Sequence, residues 1–202
     1  MKLYDTARAP NPRRVRIFLA EKGIAIPMEE IDFGKAEQKG EAFSAINPLQ
    51  QTPVLVLDDG TVLSESVAIC RYVEELHPEP PLFGVDRLGR ALVEMWQRRI
   101  EFHLFQPVML TFRHSHPAAA KMGQVQIPEL AESSKARTLD FLTHLDSELR
   151  KQPFIAGEHF SIADITALVA VDFMRPARIT MPPLDNIKRW RGEVAARPSI
   201  VP

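Results

Sequence analysis

Short apolar runs and helical repeats alternate over the first part of this 202-residue chain. Four short runs, rich in β-branched residues, predict strands; they lie at 2–4, 24–31, 54–57 and 61–63. Three segments with apolar residues at helical spacing predict helices; they lie at 12–22, 41–46 and 66–76. A crossover helix joins parallel strands and a tight turn joins antiparallel ones. The pattern therefore predicts a small mixed α/β sheet in the order β-α-β-α-β-β-α.

The periodicity changes after a proline-rich segment that runs from His77 to Pro81. Beyond this segment only helical periods occur, and they predict a long helix at 87–112 and further helices at 130–149 and 184–196. Ser161 and Asp164 form a capping box that predicts another helix start. We therefore predict an α/β domain at 1–78, a linker at 79–86 and an all-α helical domain at 87–202.

Composition excludes several classes of protein. The net charge of −1 carries no basic excess for nucleic acid, and no apolar run is long enough to span a bilayer. The N-terminus lacks a signal-peptide pattern. Cys70 is the single cysteine, so an intrachain disulfide is excluded and a cytoplasmic location is expected. No cluster of potential ligands predicts a metal site.

The segment from Gln50 to Ser66 has the clearest chemistry. It combines a strand opened by Pro53, a tight turn and the start of a helix. A helix N-terminus binds carboxylates, and the adjacent Glu65 can accept hydrogen bonds from a cationic amine. The segment suits a ligand with an α-carboxylate and an α-ammonium group, such as the end of a small peptide. The alternative is that Ser64 or Ser66 only caps the helix.

Four motifs, taken in order, resemble the soluble (cytosolic) glutathione S-transferase family over nearly the whole chain. They are the N-terminal strand and helix at 3–19, the Asn-Pro-containing segment at 46–55, the Glu-Ser-x-Ala-Ile motif at 65–69 and the capping box at 160–165. The resemblance implies a thioredoxin-like N-terminal domain, a helical C-terminal domain and a homodimer. It also implies glutathione as co-substrate, with no metal.

The resemblance assigns roles to six residues of the first domain. It implies that Glu65 accepts from the glutathione amine, and that Ser66 holds the adjacent carboxylate at the helix N-terminus. Pro53 would be cis, and Thr52 before it would pair with the peptide through its backbone. Two further glutamines would contact the glycine end. Gln51 stands where many members carry lysine, and Gln38 aligns with a polar residue that several bacterial members use there. Gln38 has an equal alternative as a solvated loop residue.

Thiol activation is the least defined part of the site. A glutathione thiol has a pKa of about 8.5, so a donor beside the sulfur is needed to favour the thiolate. The loop before the first helix contains neither serine nor cysteine. The Pro-Asn pair resembles a nu-class-like bacterial subgroup, which implies that Asn11 contacts the sulfur. The alternative is that Asn11 only caps the helix before Pro12.

Two groups of side chains near these motifs have ordinary interpretations. A solvated charged face is expected for Arg13, Arg14 and Arg16, although they could also face an anion or a partner subunit. The aromatic stripe from Phe102 to Phe112 predicts helical-domain core, with an electrophile pocket as the alternative. Cys70 is expected to be an inert core thiol.

The motifs favour an enzyme that conjugates glutathione to small hydrophobic electrophiles. A glutathione-dependent disulfide or peroxide reductase would share the same site and take a disulfide or peroxide instead. A binding or regulatory protein with the same fold and no catalysis is the third alternative. Intact Pro53, Glu65 and Ser66 favour glutathione binding in all three.

Overall fold

The computed structural model describes residues 1–200, which form two compact units. The first unit is Met1–Pro81, and the second begins at Leu82. The division between Pro81 and Leu82 falls within the segment that the prolines predict to be a linker.

The first unit is built on a four-stranded mixed sheet. Its strands, in chain order, are β1 (Lys2–Asp5), β2 (Met28–Glu30), β3 (Val54–Val56) and β4 (Val62–Ser64). The spatial order is β2-β1-β3-β4, with β1 and β2 parallel and the other two pairs antiparallel. The predicted mixed sheet is confirmed: β2 lies at one edge, and β3 and β4 form a hairpin.

Three helices pack on this sheet: α1 (Pro10–Glu21), α2 (Glu41–Ile46) and α3 (Ser66–Leu76). Helix α1 is followed by Gly23, whose φ of +66° favours glycine, and the next N–H, of Ile24, donates to Leu19 C=O at 2.9 Å. Apolar side chains of both α1 and α3 are buried with those of the sheet, notably Phe18 and Ile69.

The second unit is helical. Its helices are α4 (Arg87–Ile100), α5 (Gln106–Ser115), α6 (Pro117–Lys121), α7 (Pro128–Leu149), α8 (Ile162–Phe173) and α9 (Asp185–Ala195). No strand follows β4 in the part of the chain up to residue 200, apart from one isolated bridge between Phe154 and Gly157. None of the described helices is long and apolar enough to cross a membrane.

The single long helix expected at 87–112 is wrong in detail. A π-helical segment, Glu101–Phe105, separates α4 from α5. Pro107 lies just after it, lacks an N–H and would crowd the carbonyl of His103 in a regular α-helix. A widened turn at this point avoids that contact. The sequence pattern also missed α6, which is only five residues long.

The predicted capping box at the start of α8 is present. Ser161 N–H and Oγ donate to Asp164 Oδ2 at 3.0 and 3.1 Å, and Ala163 N–H donates to Ser161 Oγ at 3.3 Å. Asp164 is fully buried and also accepts from Ile155 N–H and Trp190 Nε1–H at 2.9 and 2.8 Å. Asp164 therefore joins α8 to α9 and to the turn after α7.

Candidate functional site

A small open pocket lies in the first unit, at the N-terminal end of α3. Seven of its nine lining residues are polar. The full lining is Asn11, Asn47, Leu49, Gln51, Thr52, Pro53, Ser64, Glu65 and Ser66. Six of the seven residues assigned to the site from the sequence therefore meet in one place, although they come from three separate segments.

Glu65 and Ser66 form the floor of this pocket at the start of α3. Glu65 is the residue before the helix, and its φ of +67° lies in a region that non-glycine residues rarely adopt. Its side chain is exposed and makes no capping bond. Ser66 is the first helical residue, so its N–H precedes the first backbone bond of the helix, from Ile69 N–H to Glu65 C=O at 3.0 Å. Capping by Ser64 or Ser66 is therefore wrong.

The hydroxyl of Ser66 is held from below by Arg14. Arg14 Nη1 donates to Ser66 Oγ at 2.7 Å, and Arg14 is 2% exposed. Arg16 is also engaged, because it donates to both Asp5 carboxylate oxygens at 2.7 and 2.5 Å and to Ala7 C=O at 2.8 Å. A solvated charged face is therefore wrong for Arg14 and Arg16. No periodic signal distinguished Arg14 from its neighbours, and only the contact with α3 reveals it.

Thr52 and Pro53 form a second wall of the pocket. The Thr52–Pro53 bond is cis, as the resemblance implied. Thr52 Oγ1 donates to Thr6 Oγ1 at 2.9 Å, and Thr6 Oγ1 donates to Ile31 C=O at 3.1 Å. Within residues 1–200, no hydrogen-bond partner is found for the backbone N–H and C=O of Thr52. These two groups precede β3 and are available to an extended peptide.

Gln51 and Asn47 shape the third wall. The Gln51 side chain is exposed, while its backbone C=O accepts from Asn47 Nδ2 at 2.8 Å. Asn47 Oδ1 in turn accepts from Leu49 N–H at 3.1 Å. From the sequence, Asn47 was placed in the Asn-Pro-containing segment at 46–55 and was assigned no role in the site. Its two side-chain bonds close the loop that carries Gln51 into the pocket.

Asn11 is the second residue of α1 and not its cap. The helix begins at Pro10, and the preceding Ala9 makes no side-chain capping bond. The expectation that Asn11 is the N-cap is therefore wrong, because Pro10 rather than Pro12 takes the first helical position. The half-buried Asn11 side chain has no protein hydrogen-bond partner in the described part of the chain. Its amide is therefore available to a ligand in the pocket.

Gln38 lies outside this pocket lining. It belongs to a short 3₁₀ turn, Glu37–Lys39, and is 7% exposed, so the interpretation as a solvated loop residue is wrong. Its Oε1 atom is buried and, among residues 1–200, has no hydrogen-bond partner. A contact between Gln38 and the glycine end of glutathione remains a prediction.

The single cysteine takes no part in this pocket. Cys70 is 0% exposed inside α3, and its burial raises the pKa of the thiol well above its usual range. The expected inert core thiol is consistent with this position. In the described residues no group of three or more histidine, cysteine or acidic side chains is arranged to hold a metal ion.

The pocket therefore combines a helix N-terminus, a serine hydroxyl, a free carboxylate and an unpaired strand-like backbone. A helix N-terminus and a serine hydroxyl can bind a carboxylate, and a free carboxylate can bind an ammonium group. An unpaired strand-like backbone can bind an extended peptide. Together with the mixed sheet, these features would suit a ligand with the amino-acid end of a small peptide.

Family models give the class its name. A model described as "Glutathione S-transferase, N-terminal domain" matches residues 9–76, and one described as "Glutathione S-transferase, C-terminal domain" matches residues 128–196. The two together cover more than half of the chain. The chain belongs to the glutathione S-transferase family.

Individual relatives are similar to this chain over almost its whole length. "Glutathione S-transferase 2" of Saccharomyces cerevisiae is 33% identical over 204 residues, covering 99% of this chain and 88% of the relative. A solved structure of Gtt2 from the same yeast has a TM-score of 0.94 at 33% identity, covering 99% of this chain and 98% of that one. A glutathione S-transferase domain-containing protein of Marinobacter aquaeolei has a TM-score of 0.95 at 36% identity, with both chains fully covered.

Proposed function

We propose that the chain is a glutathione transferase that binds glutathione in the α3 pocket and conjugates its thiolate to small electrophiles. The relatives cited for nearly the whole chain are named as glutathione S-transferases, which favours conjugation over disulfide or peroxide reduction and over loss of catalysis. The observation that carries the proposal is the meeting of Glu65, Ser66 and the unpaired backbone of Thr52 in one pocket.

The glutamyl end of glutathione would bind at the start of α3. Its carboxylate would accept from the Ser66 hydroxyl and from the N–H groups of the first helical turn. Its ammonium group would donate to Glu65, whose exposed carboxylate has no protein partner in the described part of the chain. The cysteinyl backbone would pair with the N–H and C=O of Thr52, and the exposed Gln51 amide would reach the glycine end.

Asn11 is the residue we assign to the sulfur. Its side chain lies in the pocket lining, has no capping duty and sits in the first turn of α1, where the helix macrodipole favours a negative charge. Donation from the amide to sulfur would lower the pKa of the bound thiol and increase the thiolate fraction. The nucleophile would then attack an electrophilic carbon.

The test is the pH dependence of turnover of a chloronitrobenzene by Asn11→Ala. We expect a lower kcat/KM and a pH profile displaced upward, because the thiol ionises less readily without the donor. Asn186→Ala, on α9 outside the pocket, is the matched control and should keep the wild-type profile. An unchanged profile in Asn11→Ala would remove Asn11 from the mechanism. Turnover of a small disulfide in place of the electrophile would support the reductase alternative.

We also propose a homodimer that works in the cytoplasm. Leu88, Leu92 and Met95 lie on one face of α4 at spacings of four and three residues, and they are 67%, 37% and 36% exposed. An apolar stripe of this spacing suits a partner helix of a second copy. The cytoplasmic location is supported by the single, buried cysteine and the resulting absence of an intrachain disulfide.

A further inference from the structure

Arg14 occupies an unusual position for an arginine. It lies in α1 with 2% exposure, whereas arginine is rarely buried without a specific partner. Its Nη1 donates at 2.7 Å to Ser66 Oγ, which is 52 residues later in the chain. The bond joins the interior face of α1 directly to the first residue of α3.

This bond fixes the hydrogen-bonding role of the Ser66 hydroxyl. A guanidinium group only donates hydrogen bonds, so Ser66 Oγ must act as the acceptor. The Ser66 proton is then left to donate elsewhere, and Ser66 lines the pocket. A hydroxyl that accepts from a cation is also polarised, which strengthens its own donation.

A second charged contact lies further along α3. Lys22 Nζ and Glu74 Oε2 form an ion pair of 2.6 Å between α3 and the residue after α1. Arg14 and Glu74 act in opposite directions on the pKa of the Cys70 thiol, so both lie close to it. The Lys22–Glu74 pair is neutral as a whole, so the guanidinium of Arg14, in contact with Ser66, supplies the positive charge near the start of α3, in an interior where screening by water is weak. A carboxylate at the start of α3 would therefore be attracted.

We propose that Arg14 is a positioning residue that makes the pocket selective for an α-carboxylate. It directs the Ser66 hydroxyl proton to that carboxylate and places a buried positive charge behind it. The inference rests on the proposed function and deepens it, because it assigns recognition of one group of glutathione to a residue that lies beneath the pocket lining.

The experiment compares two ligands by calorimetry. One is glutathione, and the other is γ-aminobutyryl-Cys-Gly, which lacks only the α-carboxylate. We expect Arg14→Met to weaken glutathione binding about ten- to a hundredfold, the range for a lost bond to a charged group, and to leave binding of the analogue within about twofold. Lys2→Gln, which removes an exposed positive charge of the same unit, is the control and should change neither affinity.

Two further variants separate positioning from folding. Arg14→Lys keeps a buried cation without the guanidinium geometry, and we expect its preference for glutathione over the analogue to fall between those of wild type and Arg14→Met. In a Ser66→Ala background, Arg14→Met should cost less glutathione affinity than in wild type, because the two residues act as one unit.

An equal loss for both ligands would show a purely structural role and overturn the inference. A wild-type preference retained in both Arg14 variants would overturn it as well. A wild-type chain that binds neither ligand would overturn the proposed function together with the inference, so the two failures are distinguishable.

Discussion

Replacing Asp164 by asparagine is the perturbation whose effect on stability can be worked most directly from the structure. The fully buried carboxylate accepts four hydrogen bonds, two on each oxygen. The amide keeps one acceptor oxygen for Ile155 N–H and Trp190 Nε1–H. Its NH₂ group would face Ser161 N–H, so a buried backbone donor would lose its partner and the capping box would be lost. The unpaired donor costs about 1–3 kcal/mol and the lost capping box about 1 kcal/mol. We therefore expect the free energy of unfolding to fall by about 2–4 kcal/mol near pH 7.

The stability lost in Asp164→Asn should also depend on pH. Burial raises the pKa of Asp164 to about 6, against about 4 in the unfolded chain. The folded state therefore holds this proton more tightly, and the contribution of Asp164 to stability grows as the pH falls below about 6. From about pH 7 to about pH 5, this contribution to the free energy of unfolding increases by about 1 kcal/mol. Asparagine does not titrate, so the stability gap between wild type and Asp164→Asn should widen by that amount.

The assay is urea unfolding followed by circular dichroism at both pH values, with Asp140→Asn as the control. Asp140 is exposed on α7, and its substitution should change stability by less than about 0.5 kcal/mol. A loss below about 0.5 kcal/mol for Asp164→Asn near pH 7 would refute the hydrogen-bond accounting. A gap that narrows toward pH 5 would refute the raised pKa.

Two further expectations concern the ligand and the assembly. Glu65→Gln should weaken the binding of glutathione about tenfold by calorimetry, but should leave the affinity for glutaryl-Cys-Gly, which lacks the ammonium group, unchanged. Glu41→Gln is the control, and an equal loss of affinity for both ligands in Glu65→Gln would contradict the assignment. Met95→Glu should shift the sedimenting species from dimer to monomer, because it places a charge in the apolar stripe of α4. Val125→Glu, which changes an apolar residue that is 77% exposed elsewhere, should leave the dimer intact. A Met95→Glu variant that still sediments as a dimer would argue against this interface.

Most of the secondary structure was predictable because its signals are local. The turn at Asp59-Gly60, the C′ glycine at Gly23 and the capping box at Ser161 each depend on residues a few positions apart. Helix starts next to proline were less predictable. Two prolines flank Asn11, and both suit an early helical position, so the pattern alone did not identify Pro10 as the first residue of α1.

The sequence by itself determined the groups to which we assign glutathione binding, because a helix start with Glu65 and Ser66 and a strand opened by Pro53 are encoded within seventeen neighbouring residues. The tertiary structure alone decided how those groups are supported. Arg14 was expected in solvent, and a solvated loop was an equal alternative for Gln38. Both are buried, since burial is set by residues distant in the chain. The contact between Arg14 and Ser66 forms only when α1 and α3 pack on the same sheet, and no local pattern encodes that packing.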